Sequence, residues 1–169
     1  MKISTFVFRV WRAFSMLAVF GISVYSYSLF GSDVGIHFDA AGKADEFMRK
    51  SDVFYIIVGL ILVNNVLLMA LGQRLLKLPS HLLPIPNQSE WAAQRDTLNE
   101  HLRNWVYGLI AMINTLIAMT VFSLATVNNE FKYKISDFEG LFYIVIISLF
   151  IIIIALPIQL MIKPKLENQ

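Results

Sequence analysis

No cysteine occurs in the 169 residues, which excludes a disulfide, a thiol nucleophile and a thiolate metal site. Charge is also scarce. Asp, Glu, Lys and Arg together make up 15% of the chain, against about 25% in an ordinary soluble domain. The formal net charge of +2 is too small a balance to draw the chain to nucleic acid. The sequence offers no Ser-His-Asp arrangement, no Gly-rich phosphate loop and no paired carboxylates inside an apolar run. It has no internal repeat, and no low-complexity tract beyond the isoleucines at 151–154. These absences point away from catalysis, so the expectation is a protein that is not an enzyme and holds no cofactor. They also weaken an ion- or proton-coupled pump, which usually needs a charged side chain within the membrane.

Apolar surface is what the chain has in plenty. The hydrophobic fraction is 57%, above the roughly 45–50% usual for a soluble domain. It is gathered into four uncharged runs, residues 13–30 (continuing to 32), 53–73, 104–129 and 140–162. A spanning helix needs about 17–25 apolar residues to cross roughly 30 Å of hydrocarbon. All four runs qualify. The last offers only Ser148 and Gln159 as polar groups in its body, far short of the polar stripe a soluble bundle needs. The fold class expected is an all-α membrane protein, one integral domain over residues 1–169, with spans near 10–30, 53–72, 104–127 and 140–162. A cleaved leader is the alternative for the first run, but no small-x-small cleavage site follows it.

The charges choose an orientation. With a cytoplasmic N-terminus, the inner side carries Lys2, Arg9, Arg12, Arg74, Lys77, Arg95, Arg103, Lys163 and Lys165, and the outer side Lys43, Arg49, Lys50, Lys132 and Lys134. The excess of positive charge stays inside, so both termini are expected on the cytoplasmic side. Aromatic residues mark the span edges: Trp11, Trp105 and Tyr107 inside, and Tyr25, Tyr27, Tyr55, Tyr133 and Tyr143 outside.

Polar chemistry is concentrated in the outer loop, residues 31–52. Ile36-His37-Phe38-Asp39 reads as a short extended piece and the residues up to Lys43 as a turn, with Gly42 needing positive φ. Alternation puts His37 and Asp39 on one side, and Asp45 can return towards His37. Ser51 or Asp52 is expected to cap the second helix. His37, Asp39, Asp45, Glu46 and Asp52 include ligand types for a divalent cation, although their spacing matches no specific metal motif. Two other readings of His37 stand beside that one: a proton-sensing switch, or a structural histidine bonded to Asp39 or Asp45. His81 and His101 lie on the opposite side of the membrane.

Inside the spans, Asn64 and Asn65 of helix two and Asn114 of helix three fall at similar depth. A hydrogen bond between these helices is expected; the alternative is a polar transport path. On the inner side, Pro79, Pro84 and Pro86 forbid a continuous helix. Asn87 then starts a helix, with Glu90 as capping-box partner. Trp91, Leu98, Leu102 and Trp105 form an apolar stripe opposite Arg95, Asp96, Asn99 and Arg103. That pattern predicts an amphipathic helix lying on the inner membrane surface or bending into helix three, with a partner groove as alternative. Residues 128–138 read as a turn plus a brief strand or cap, and Pro157 as a kink near the inner end of helix four.

The outer loop also resembles a known signature. Ile36-His37-Phe38, Gly42, Asp45 and Lys50 are similar to the pattern I-P-x-H-F/W-x-x-x-G-x-x-D-x-x-x-x-K of the SdpI-like family of bacterial membrane proteins. Pro84-Ile85-Pro86-Asn87 followed by Trp91 resembles that family's I-P-N-x-x-x-W approach to a surface helix. Gly35-Ile36 stands where the family shows a proline close before the histidine. The resemblance implies a multi-span protein with a functional outer loop acting in recognition, immunity or signalling. Its expected partners are the lipid bilayer and a peptide toxin or another membrane protein at the outer face, with self-association open. The alternative function is a small transporter, channel or accessory subunit using Asn64, Asn65 and Asn114.

Overall fold

The computed structural model describes residues 3–39, 41–129 and 133–164. Helix α1 covers Ile3–Leu29 and is followed by strands β1 (Asp33–Phe38) and β2 (Ala44–Arg49). Helix α2 covers Lys50–Lys77, and α3 is a short helix at Gln88–Ala93. Helix α4 runs over Arg95–Asn129 and α5 over Glu139–Met161. Arg9 and Arg12 lie in the first turns of α1; Lys2, Lys132 and Lys165 lie outside the described residues, as does part of the turn expected at 128–138.

Four helices are long and apolar enough to cross a membrane. The distribution of their side chains supports that placement. Large apolar residues such as Phe14, Leu17, Phe20, Leu60, Ile147 and Ile151 face outward, while Ser15, Ser23, Ser26, Asn64, Asn114 and Ser123 are buried between helices. A soluble bundle puts these groups the other way round. Between membrane helices, small and hydroxyl side chains let backbones approach and supply hydrogen bonds. Two buried serines of α1 bond its own carbonyls, Ser15 Oγ donating to Arg12 at 2.9 Å and Ser23 Oγ to Val19 at 2.6 Å, whereas Ser26 Oγ is buried without a partner among the described residues.

Helix α4 is the axis. Some 56% of its most apolar window is buried, against 11–17% in the other three spanning helices. Its 35 residues make a rod of about 52 Å, longer than a bilayer core, and it begins at Arg95 rather than near 104. One core cluster lies beneath the hairpin (Val19, Phe30, Val34, Val53, Ile57, Ile117, Ala118, Val121, Ala125) and a second at the end carrying the chain termini (Leu83, Trp91, Leu98, Leu102, Leu156, Leu160).

The structure is mostly helical, as expected of an all-α membrane fold, and the loop after α1 adds an antiparallel two-stranded hairpin pairing Asp33 with Arg49 and Val34 with Met48. Several finer expectations need correction. Neither Ser51 nor Asp52 caps α2. Strand β2 runs straight into the helix at Lys50, so both lie within its first turn, where Asp52 instead accepts from Arg49 Nε at 2.9 Å. The capping box of α3 does not form either. Asn87 adopts a left-handed conformation (φ 52°) and donates Nδ2 to the carbonyl of Met161 at 2.9 Å, while Glu90 pairs with Lys163 at 2.7 Å. The stripe led by Trp91 does not lie open to lipid: Trp91, Leu98 and Leu102 are buried against Leu156 and Leu160 of α5, and Trp91 Nε1 donates to Leu160 O at 3.0 Å. Arg95 also leaves the solvent face and ties down the end of α2 through the carbonyls of Leu76 and Leu78 (2.9 and 2.6 Å). Pro157 lies inside α5, which continues to Met161.

Candidate functional site

The hairpin is where the motif residues meet, and its shape follows from a few local rules. Asp39 Oδ1 accepts from the amides of Ala41 (2.9 Å) and Lys43 (2.8 Å), closing an Asx-type turn. Gly42 takes the positive φ expected of it, +82°. The pairing then slips around His37, with register shifts between Gly35 and His37 and between His37 and Phe38. Such bulges re-aim a side chain. His37 Nδ1 meets Asp45 Oδ1 at 2.5 Å, and both side chains are about half exposed or more (64% and 48%). This hydrogen bond, then the negative charge of Asp45, raises the His37 pKa above its ordinary 6.5, with smaller help from Glu46 and Asp39.

A lone two-stranded hairpin is marginal in water, so something must hold this one. Asn128, at the end of α4, does so by imitating a neighbouring strand. Its Oδ1 accepts from Gly35 N at 2.7 Å, and its Nδ2 donates to Gly35 O at 3.0 Å and to Leu124 O at 2.8 Å. Gly35 fits because a Cβ there would lie 2.6 Å from Ala44 Cβ. It also supplies an N–H that proline lacks. The departure from the resembled pattern at Gly35 therefore has a use in this chain. Sequence reading missed Asn128, whose only signal was an amide just where a span ends.

Lys50 is the other tether. Its Nζ donates to Phe30 O at 3.0 Å and lies 4.3 Å from the centre of the Tyr27 ring, and its own amide donates to Ser32 O at 2.9 Å. Of the six hairpin-segment residues singled out from sequence, His37, Phe38, Asp39 and Gly42 line one cleft of about 550 Å³; Asp45 holds His37 from behind, and Lys50 anchors the hairpin base. The remainder of the cleft comes from residues the sequence did not flag: Thr120, Ser123 and Leu124 of α4, Lys134–Ser136, and Glu139 and Phe142 of α5. Its rim carries both signs of charge and its floor is apolar, which suits a small amphipathic molecule or peptide side chains better than a bare ion. The acidic residues expected as metal ligands are dispersed, Asp39 to the turn and Asp52 to Arg49. Among the described residues no group of three or more His, Cys, Asp or Glu side chains is placed to hold a metal ion.

The remaining candidates lie elsewhere. Asn64 and Asn65 each donate Nδ2 to Asn114 Oδ1 at 2.8 Å, and Asn114 Nδ2 donates to Asn65 Oδ1 at 3.0 Å. Consecutive residues point about 100° apart on an ideal helix. Here α2 opens into a π turn at Val63–Leu67, whose extra residue per turn lets both amides reach one acceptor. Pro86, Asn87 and Trp91 belong to the opposite end of the bundle, where Asn87 and Trp91 bind the last turn of α5.

No family model matches the chain, and neither a curated protein nor a solved structure matches it.

Proposed function

We propose that this chain is a multi-pass protein of the bacterial cytoplasmic membrane, with both termini inside, whose hairpin recognises a molecule at the outer face. The observation that carries the reading is the His37–Asp45 pair, mounted on a hairpin that Asn128 fixes to the central helix and opening onto the 550 Å³ cleft. The pair is exposed and charge-coupled rather than buried within the bundle. Orientation is supported by Arg9, Arg12, Arg74, Lys77, Arg95, Arg103 and Lys163 in and around the terminal end, against Lys43, Arg49, Lys50 and Lys134 around the hairpin. The likeness of Ile36-His37-Phe38, Gly42, Asp45 and Lys50 to the SdpI-like signature adds recognition or immunity as the kind of work done. The three asparagines spend their amides largely on one another, which favours helix adhesion over a polar path.

The test is genetic. A strain lacking the gene is compared with strains carrying the wild-type chain or the His37→Ala/Asp45→Ala double variant. The double variant should fail to restore whatever growth or survival difference the gene confers, at normal abundance and insertion. Full complementation by it refutes the reading.

A further inference from the structure

A second groove opens beside the cleft, between α2 and α4. It measures about 590 Å³ and is lined by apolar side chains, among them Met48, Ile56, Leu60, Val63, Leu116 and Ile117. The groove exists because α2 is splayed. Towards the terminal end Gly72 brings α2 hard against α4, where an added Cβ would stand 2.6 Å from Val106 Cγ1. Towards the hairpin, Ile36 and Met48 pack on the core beneath it and line the mouth of the groove. Ile36, Thr120 and Leu124 line both the groove and the charged cleft. One continuous depression therefore passes from a rim with His37, Asp39, Lys134 and Glu139 down to an oily trough.

Size decides between occupants. The lining from Val53 to Leu68 covers roughly 22 Å of helix rise, more than the roughly 15 Å of one leaflet's hydrocarbon. A partner helix about 10 Å across would seat only one apolar face in the trough and leave the charged rim unmatched. A chain of about 16 methylenes, at roughly the 30 Å³ each that a water molecule takes in the liquid, needs about 500 Å³. That fits. At the rim, Lys134 lays its stem over Gly42, and among the described residues no carboxylate pairs with its ammonium, while Glu139 stands exposed across the cleft. A cation and carboxylates side by side match a headgroup bearing both a phosphate and an amine.

We infer that the joined cleft and groove bind one outer-leaflet glycerophospholipid with a zwitterionic amino headgroup, its phosphate on Lys134, its amine towards Asp39 and Glu139, and one acyl chain between α2 and α4. The inference rests on the reading of the hairpin cleft as a binding site and names its ligand class.

The test uses the full chain in nanodiscs doped with phosphatidylethanolamine carrying a diazirine near the end of one acyl chain. After irradiation, peptide mass spectrometry should find groove positions such as Leu60 and Leu116 labelled at least five-fold above lipid-facing Leu17 and Ile147. A diacylglycerol probe with the same tail should show less than half that preference, and Lys134→Gln/Glu139→Gln should bring the two probes level. Uniform labelling overturns the inference, as does groove labelling that ignores the headgroup. A disulfide-linked dimer through Leu60→Cys with no lipid adduct in the groove overturns it too, since a second copy then fills the space. Uniform labelling in a chain whose complementation still depends on His37 and Asp45 removes the lipid and leaves the recognition reading standing. Groove labelling with full complementation by the double variant does the reverse.

Discussion

Replacing Asn114 with leucine, a side chain of nearly the same size, tests the polar contacts that fix α2 to α4. Asn114 is fully buried, and the substitution removes three asparagine–asparagine hydrogen bonds of 2.8–3.0 Å. At an average of about 0.6 kcal/mol for such bonds within membranes, their loss costs roughly 2 kcal/mol. Asn65 Oδ1 also loses its donor, and a stranded buried acceptor adds about 1–3 kcal/mol. Asn64 and Asn65 keep their second acceptors, Ile110 O and Ile61 O, which limits the damage. A total of about 3–5 kcal/mol is expected. Removing all the partners together behaves differently. In the triple leucine variant at positions 64, 65 and 114 no asparagine oxygen is stranded, although the long 3.3 Å bond from Asn114 Nδ2 to Ser15 Oγ is lost besides. The side-chain oxygen of Asn64, which is buried without a partner in the wild type, is gone. Its cost should fall below that of Asn114→Leu alone. SDS-titrated unfolding in mixed micelles, followed by circular dichroism, measures both. A single variant within 0.5 kcal/mol of wild type, or a triple variant as costly as the three singles summed, refutes the reasoning.

At the hairpin, the raised His37 pKa means that its pairing with Asp45 supports the hairpin fully below about pH 6.5, and that this support is lost as pH rises through the folded value. Imidazole titration by NMR should therefore place His37 above 6.5 and return it towards that value in Asp45→Asn; equal values in both proteins sink the point. Asn128→Ala leaves Gly35 N and O without their partner and should speed amide exchange across β1 by roughly ten-fold, for a loss of about 1–2 kcal/mol; unchanged exchange means the hairpin is held otherwise. Gly72→Ala forces a methyl onto Val106 and should cost about 1–3 kcal/mol, with Val106→Ala restoring most of it; a lack of rescue shows that the close approach is not the cause. Trp91→Phe keeps the ring but strands Leu160 O, at about 1 kcal/mol, and should loosen the last turn of α5 in hydrogen exchange while leaving the hairpin unmoved.

The spans were legible because an uncharged run of spanning length has few other uses, and the asparagine contact because equal depth on adjacent helices leaves those amides little else to bind. The turn at Asp39–Gly42 was legible for a local reason, positive φ. The rest depended on partners distant in sequence. Strand β2, Ala44–Arg49, is mostly polar and reads as loop, since its apolar support is Val34 and the core beneath. Asn87 and Glu90 look like a capping box until Met161 and Lys163 arrive from α5 to claim them. Trp91 and Leu98 read as a membrane-surface stripe for the same reason: the surface they cover is Leu156 and Leu160, far along the chain. Half of the cleft was invisible because Lys134 sits in a short connection and Glu139 at the start of α5, which only packing brings opposite His37.

The two ends of the bundle are built to different ends. At the terminal end, long-range polar contacts tie elements together: Arg95 onto the carbonyls of Leu76 and Leu78, Asn87 and Trp91 onto the last carbonyls of α5, Glu90 onto Lys163, and Thr5 onto Glu100 at 3.1 Å, around a smaller cleft of about 290 Å³. Glu90 is held so well that its pKa falls to about 2, so that lock persists across ordinary pH. At the hairpin end the helices separate, a cleft and a groove open, and the tethers (Asn128 and Lys50) hold only the hairpin itself. A rod of about 52 Å buried along its length gives the locked end a rigid hold on the open one. Polar bonds that fasten helices at one end and leave side chains unengaged at the other are what a binding protein needs, since a site with every group already paired has nothing left to offer a ligand. Under the proposed function the hairpin end is the working end, and variants that loosen the terminal end should act through stability before they touch recognition.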